Sequence, residues 1–273
     1  GGTHSREVAG FVGSVMLIEN VRVEKGKLIV IPRGNNSGAS YTPAYMGYPS
    51  FFEIKNKNGA TRKFRVGGRF TNPIHQWPDP DYYYTVYDDY KLRGAESRNL
   101  NRCYPGDPEG SYTEKLAYSI IQLIKKEDTV ISYDYHEAGT RSRLANMLIG
   151  NPKCMDIGAM AILNLEMSDI SMKIEQSSKN FRGLSHREWG DHTDTFSFLS
   201  ETPNPGQDYK TLGNYNVLAE DTPFPLKKRV GKQLATFKAV IDAYNMNYPE
   251  KIIINNIPTY QAMLEKGISP YLN

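Results

Sequence analysis

The sequence predicts an α/β fold with a mixed, mostly parallel central sheet, and three observations carry that expectation. Short β-prone runs alternate with helical ones along most of the chain, the pattern of strands laid beside crossover helices. Several of those β-prone runs end in histidine or glutamate just before a loop, which is where open α/β sheets place their ligand-binding rim. The chain has 273 residues, 39% of them hydrophobic. It carries no repeat, low-complexity run or linker, so residues 1–273 read as one domain able to bury a full core.

Each element has its own warrant. "VAGFVGSVMLI" (8–18) is apolar with small residues and reads as a helix directly after the opening turn. "KLIVIPRG" (27–34) is a β-branched run ended by Pro and Gly, which reads as a buried strand. Between about 40 and 95 the chain turns Tyr-, Pro- and Gly-rich and reads as an insertion lying over one face. Inside it, "SFFEIKNKNGATRKFRVGG" (50–68) sets Asn-Gly between two β-prone runs, a hairpin signal. "SYTEKLAYSIIQLIKKE" (111–127) has helical spacing and a capping start. "DTVISYDYHEAG" (128–139) is a strand whose end carries Asp134, His136 and Glu137. A helix is expected over 152–165, and a second strand over 193–206 reaches Glu201 before a Pro/Gly loop. "PLKKRVGKQLATFKAVIDAYN" (225–245) is a long amphipathic helix.

Composition closes off several classes. A net charge of +3 with scattered basic residues argues against nucleic acid as a partner, and no apolar run reaches the length of a membrane span. Two cysteines, Cys103 and Cys154, are too few for a disulfide scaffold and read as two buried thiols in preference to one bridge. The opening ten residues lack a signal-peptide pattern. The opening glycines read as the turn after a strand, so the sequence reads as trimmed and its start does not fix localisation. The Tyr-dense stretch 81–90 reads as a surface loop and favours a periplasmic or secreted protein over a cytoplasmic one.

His4, Glu7, His136 and Glu201 all fall at strand ends or just beyond. Two imidazoles and one carboxylate are the usual ligand set of a hydrolytic zinc, and a further carboxylate is needed to move the proton of the attacking water. "HSRE" (4–7), "NLNRCYPG" (99–106), "DYHEAG" (134–139) and "SETPNPG" (200–206) resemble, in order, the motifs of the zinc carboxypeptidase superfamily. That superfamily includes the succinylglutamate desuccinylase and aspartoacylase branch. The resemblance runs from residue 4 to about 245 and implies a three-layer α/β/α arrangement. It implies one zinc per chain on His4, Glu7 and His136, a substrate carboxylate held by Asn101 and Arg102, and Glu201 as general base. It also implies an arginine that polarises the scissile carbonyl, for which Arg93 and Arg98 compete, Arg93 slightly favoured. His186 is a candidate substrate contact, although "SHREWGDH" (185–192) reads as loop. Glu137 reads as a supporting or rim carboxylate and His75 as surface.

Two departures from the family pattern stand out. Asn99 occupies the place of an Asp that orients a zinc histidine, so it supplies a hydrogen bond without charge. No tyrosine lies between Tyr135 and Glu201, leaving the closing role unfilled or passed to His186, Arg187 or a Tyr of the insertion. The resemblance implies a zinc-dependent hydrolase cleaving an amide beside a free carboxylate. The substrate is a peptide, in a metallocarboxypeptidase reading favoured by the helix and short tail after Glu201. The alternative is an N-acyl amino acid in a deacylase reading. A non-catalytic binding domain is the remaining option, though every expected ligand and the base are in place.

Overall fold

The structure, a computed structural model, describes residues 1–44, 47, 49–86, 90–208 and 216–273. Helix α1 spans Val8–Asn20, as its apolar run predicts. Strand β1 (Arg22–Lys25) and helix α2 (Asn36–Ala39) follow. The expected hairpin forms from β2 (Phe51–Lys55) and β3 (Thr61–Arg65), with Phe52 opposite Phe64 and the two rings stacked 5.4 Å apart. A smaller hairpin joins β4 (Tyr82–Tyr84) to β5 (Lys91–Arg93); of the Tyr-dense stretch, residues 87–89 lie outside the described residues.

Helix α3 (Tyr112–Lys126) starts on the capping box that its sequence announces, Ser111 and Glu114 each receiving the other's backbone N–H. The remaining elements are β6 (Ile131–Ala138), β7 (Met147–Gly150), α4 (Met155–Glu166), β8 (Lys173–Gln176), α5 (Ser185–His192), β9 (Phe196–Pro203), α6 (Leu226–Asn247), β10 (Ile253–Asn255) and α7 (Tyr260–Lys266).

The central sheet has the order β6-β9-β7-β8. β6 runs parallel to β9 and β7 to β8, while β7 and β9 are antiparallel, so the sheet is mixed. Its two faces differ. Leu148 and Phe198 point into a core with Ile157, Ala161, Val240 and Ala243 of α4 and α6. Met147, Ile149 and Leu199 point the other way and cluster with Leu144. Paired residues on neighbouring strands share a face, as do residues two apart on one strand. The second face therefore carries two rows: His136, Glu201, Met147 and Lys173, and beside it Asp134, Leu199, Ile149 and Glu175.

Three expectations need correction. Residues 27–34 form no strand, because the facing edge of β6 lies across a cavity of about 530 Å³ lined by Leu28, Val30, Ile131 and Tyr133. Without a ladder partner an extended run does not become a strand. Residues 185–192 are helix rather than loop, since the packed Trp189 and buried Glu188 give a polar stretch a tertiary anchor. The short strands β7 and β8 lacked a distinguishing sequence signal and were not foreseen. Cys103 and Cys154 are buried and free. Among the described residues no helix is long and apolar enough to cross a membrane.

Phe198 is fully buried between the sheet and α4. Phe198→Ala should destabilise the fold by about 3–5 kcal/mol in chemical denaturation; a change under about 1 kcal/mol would show that this core collapses around the deletion.

Candidate metal centre and active site

The site begins with how residues 1–7 are held. Gly2 adopts φ +70°, and a Cβ there would meet the Pro32 carbonyl oxygen at 2.7 Å. Gly67 packs so close that a Cβ would come within 2.5 Å of Ser5. Between these contacts the backbone of Ser5 exchanges hydrogen bonds with Gly67 and Gly68. His4 and Glu7 thus stand on a fixed turn at the start of α1, with the Glu7 N–H on the His4 carbonyl at 2.9 Å.

Glu7 carries one carboxylate oxygen 2.8 Å from His4 Nδ1 and the other 2.9 Å from His136 Nδ1. The imidazoles stand edge to face, 4.9 Å apart. The far nitrogens are also committed. His4 Nε2 meets Asn99 Oδ1 at 2.8 Å, and His136 Nε2 meets Asp134 Oδ2 at 2.9 Å. Asn99 Oδ1 also accepts the Asn101 N–H, and its amide nitrogen donates to Glu96. That network fixes the Asn99 amide, so His4 Nε2 is the donor and neutral His4 presents the bare lone pair of Nδ1 to Glu7. A lone pair facing a carboxylate calls for a cation between them. Asp134 is held by Thr3 and Ser185 hydroxyls and supplies to His136 the charge that Asn99 lacks. His4, Glu7 and His136 are buried, with ligand atoms within 4.8 Å of one another. The donor set fits a divalent cation.

The charges agree with this reading. Burial holds His4 down to about 4 despite Glu7. Burial also disfavours charge on His136, but Asp134 and Glu7 outweigh it and raise its pKa well above the ordinary range. Loading a cation therefore displaces a proton from His136.

Glu201 lies beside His136 across the β6–β9 ladder. Its Oε2 is buried without a protein partner, and burial, with Glu7 adding repulsion, pushes its pKa up to about 8 against the pull of His136 and Arg69. Arg102 lines the same cavity of about 470 Å³ together with Asn101 and His186. It stacks on Phe181 at 4.7 Å, and burial lowers its pKa to about 10, Arg69 adding to the effect. Asn101 Oδ1 accepts the Ser185 N–H at 2.7 Å. His186 is kept neutral by burial, its pKa down to about 3, and its Nδ1 has no protein partner.

Neither arginine proposed to polarise the carbonyl reaches the cavity. The Arg93 side chain is 85% exposed. Arg98 is locked to Asp79 at 2.6 and 2.8 Å and to the Thr71 carbonyl, fastening the insertion in place. Arg69 lines the cavity instead, beside His4, Glu7 and Glu201. Its signal was the "GG" before it, the glycines that let the chain pass against Ser5 and deliver Arg69 inward. Glu137 is a supporting group: its carboxylate takes Arg229 at 2.6 Å, the Ala9 N–H and Asn204.

No family model matches the chain. In fold it is similar to Csd4 of Helicobacter pylori, described as a D,L-carboxypeptidase. The mDAP-bound structure gives a TM-score of 0.51 at 12% identity, covering 93% of this chain and 50% of that one. The tripeptide-bound structure gives 0.54 at 12% identity, covering 93% and 51%. The fold is carboxypeptidase-like. A sequence relative, the N-alpha-acetyl-L-2,4-diaminobutyric acid deacetylase of Halomonas elongata, is 28% identical over 142 residues, which is 51% of this chain and 27% of that protein. This chain thus spans about half the length of Csd4 and matches a smaller part of the deacetylase. The resemblance read from the four motifs is met by both comparisons.

Asp134→Asn should weaken metal binding by about 10- to 100-fold, measured by competition with a chromophoric chelator. An unchanged affinity would mean that the carboxylate does not act through His136.

Proposed function

We propose that the protein is a zinc-dependent hydrolase that cleaves an amide bond next to a free carboxylate, in the manner of a metallocarboxypeptidase. The single observation that carries this is the cavity's charge order. Two arginines, Arg69 and Arg102, face it beside a His-Glu-His cation site and the Glu201 carboxylate, whose Oε2 is buried without a protein partner. Among the described residues Glu96, 3.8 Å from Arg102, is the one carboxylate that the two arginines share, which leaves positive charge for an anionic ligand, and the fork of Arg102 with Asn101 suits a carboxylate. The proposal takes residues 1–273 as one catalytic domain with a three-layer α/β/α arrangement. The packing of α4 and α6 on one sheet face and of α5 against the other supports that arrangement.

A zinc ion on His4, Glu7 and His136 supplies Lewis acidity and makes a water acidic near neutral pH. The chain's own residues do the rest. Arg102 and Asn101 seat the substrate carboxylate and so set the register of the scissile bond. Glu201 takes the proton of the attacking water and passes it to the departing nitrogen. Arg69 faces the oxygen on which negative charge develops, a role in which one donor typically contributes about 3–4 kcal/mol. His186, neutral and unpartnered at Nδ1, offers a further hydrogen bond to the substrate.

The second reading, an N-acyl amino acid deacylase, is favoured by the match to the deacetylase. Both readings share the site and differ in the group on the acyl side. A non-catalytic binding domain finds no support, since ligands and base are all present.

The test is a screen of C-terminal peptides and N-acyl amino acids on zinc-loaded protein. Turnover of peptides selects the peptidase reading, and turnover of acyl amino acids alone selects the deacylase. Glu201→Gln should keep the metal and lose nearly all turnover; a near-normal rate would remove Glu201 from the mechanism. Arg69→Ala should lower kcat about 10²- to 10³-fold while Arg93→Ala leaves it essentially unchanged, and the reverse order would restore Arg93 to the site.

A further inference from the structure

The active-site cavity continues past the metal ligands as a trough over the sheet, and its far end has a chemistry of its own. The row that starts at Asp134 runs through Leu199 and Ile149 to Glu175. Glu175 is two strand spacings, about 10 Å, from Leu199. Leu144 joins Ile149 and Leu199 in the apolar floor. Ser177, just past the end of β8 and two residues beyond Glu175, is buried and lines the same cavity, and its hydroxyl has no protein partner. The cavity therefore has Arg69 and Arg102 at one end, an apolar floor in the middle and, at the other end, Glu175 with Arg143 upon it and the Ser177 hydroxyl.

We propose that this trough selects a substrate whose carboxylate-bearing residue has a straight apolar stem ending in an ammonium group, the class that lysine represents. The proposal rests on the hydrolase reading above and names the substrate class of that same site. The carboxylate docks on Arg102 and Asn101, the stem lies on Leu199, Ile149 and Leu144, and the ammonium meets Glu175 and the Ser177 hydroxyl. Glu175 already holds a cation there: Arg143 donates to it at 2.9 Å. The Arg143 side chain is 79% exposed against 35% for Glu175. A pair of that kind contributes little, so a ligand ammonium replaces the guanidinium at small expense. Glu175 itself is fixed on a paired strand, whereas Arg143 is free to swing into solvent. An acidic stem would instead have to bind Arg143 and would face Glu175 across the trough.

The experiment compares zinc-loaded wild type with Glu175→Gln and Glu175→Lys on matched peptides and N-acetyl amino acids. These end in lysine, norleucine, which is lysine without its ammonium group, or acidic 2-aminoadipate. The lysine-to-norleucine ratio of kcat/KM should be about two- to fivefold in wild type, the discrimination of one partly exposed charge contact. It should fall toward unity in Glu175→Gln, and Glu175→Lys should turn preference toward 2-aminoadipate. A wild-type preference for norleucine or 2-aminoadipate, or an unchanged ratio in Glu175→Gln, would overturn the proposal. If no substrate is turned over, the hydrolase reading fails separately. Calorimetric binding of free lysine against norleucine then decides the trough by itself: tighter lysine binding, lost in Glu175→Gln, upholds it, and equal binding overturns it.

Discussion

Glu7 sits between two imidazoles, 2.8 Å from one and 2.9 Å from the other, and the surrounding chain is arranged so that this placement holds. A buried carboxylate facing two ring nitrogens is unfavourable unless positive charge lies among them. The far nitrogen of each ring is tied down, His4 by Asn99 and His136 by Asp134. The rings therefore cannot turn to relieve the site. The Glu137 N–H donates to Glu7 as well. One carboxylate thus links the first turn of α1 to the end of β6.

The rest of the architecture braces that link. The buried Glu137–Arg229 pair connects the end of β6 to α6, while the Ala9 N–H on Glu137 fastens α1 to the same point. Removing either partner of such a pair would leave an uncompensated buried charge. On the other side Ser185, at the start of α5, bonds Asp134 and Asn101 together. His4, Glu7 and His136 and the cavity-lining Asn101 are in this way positioned by one continuous network. The register of four strands also puts Asp134, which Ser185 ties to Asn101, and Glu175 at opposite ends of one row, with Leu199 and Ile149 between them.

Much of this was legible in the sequence. His4, Glu7, His136 and Glu201 announce themselves through residue type at strand ends, α1 and α4 through apolar runs, α6 through its amphipathic pattern, and α3 through periodicity and its cap. What stayed hidden depends on packing. Arg69 is placed by a close glycine contact with Ser5 that no spacing rule displays, so Arg93 and Arg98 competed for its role on chain position alone. Asp134 was visible as a strand-end acid, but its partnership with His136 depends on side-chain direction. Residues 27–34 have strand composition and lack only a neighbour to pair with. Helix α5 is polar apart from Trp189 and Gly190, and tertiary contacts, rather than pattern, make it helical. Glu175 belongs to a strand too short to read.

The central claim is that His4, Glu7 and His136 exist to hold a cation. Elemental analysis of the purified wild type beside a His4→Ala, His136→Ala double variant, with X-ray absorption at the zinc edge, tests it most directly. The account predicts about one zinc per wild-type chain, with two imidazole nitrogens at about 2.0–2.1 Å and oxygen ligands completing the shell. It also predicts a variant that folds without metal. A folded wild type that takes up no zinc, or a double variant that retains it, would contradict the account.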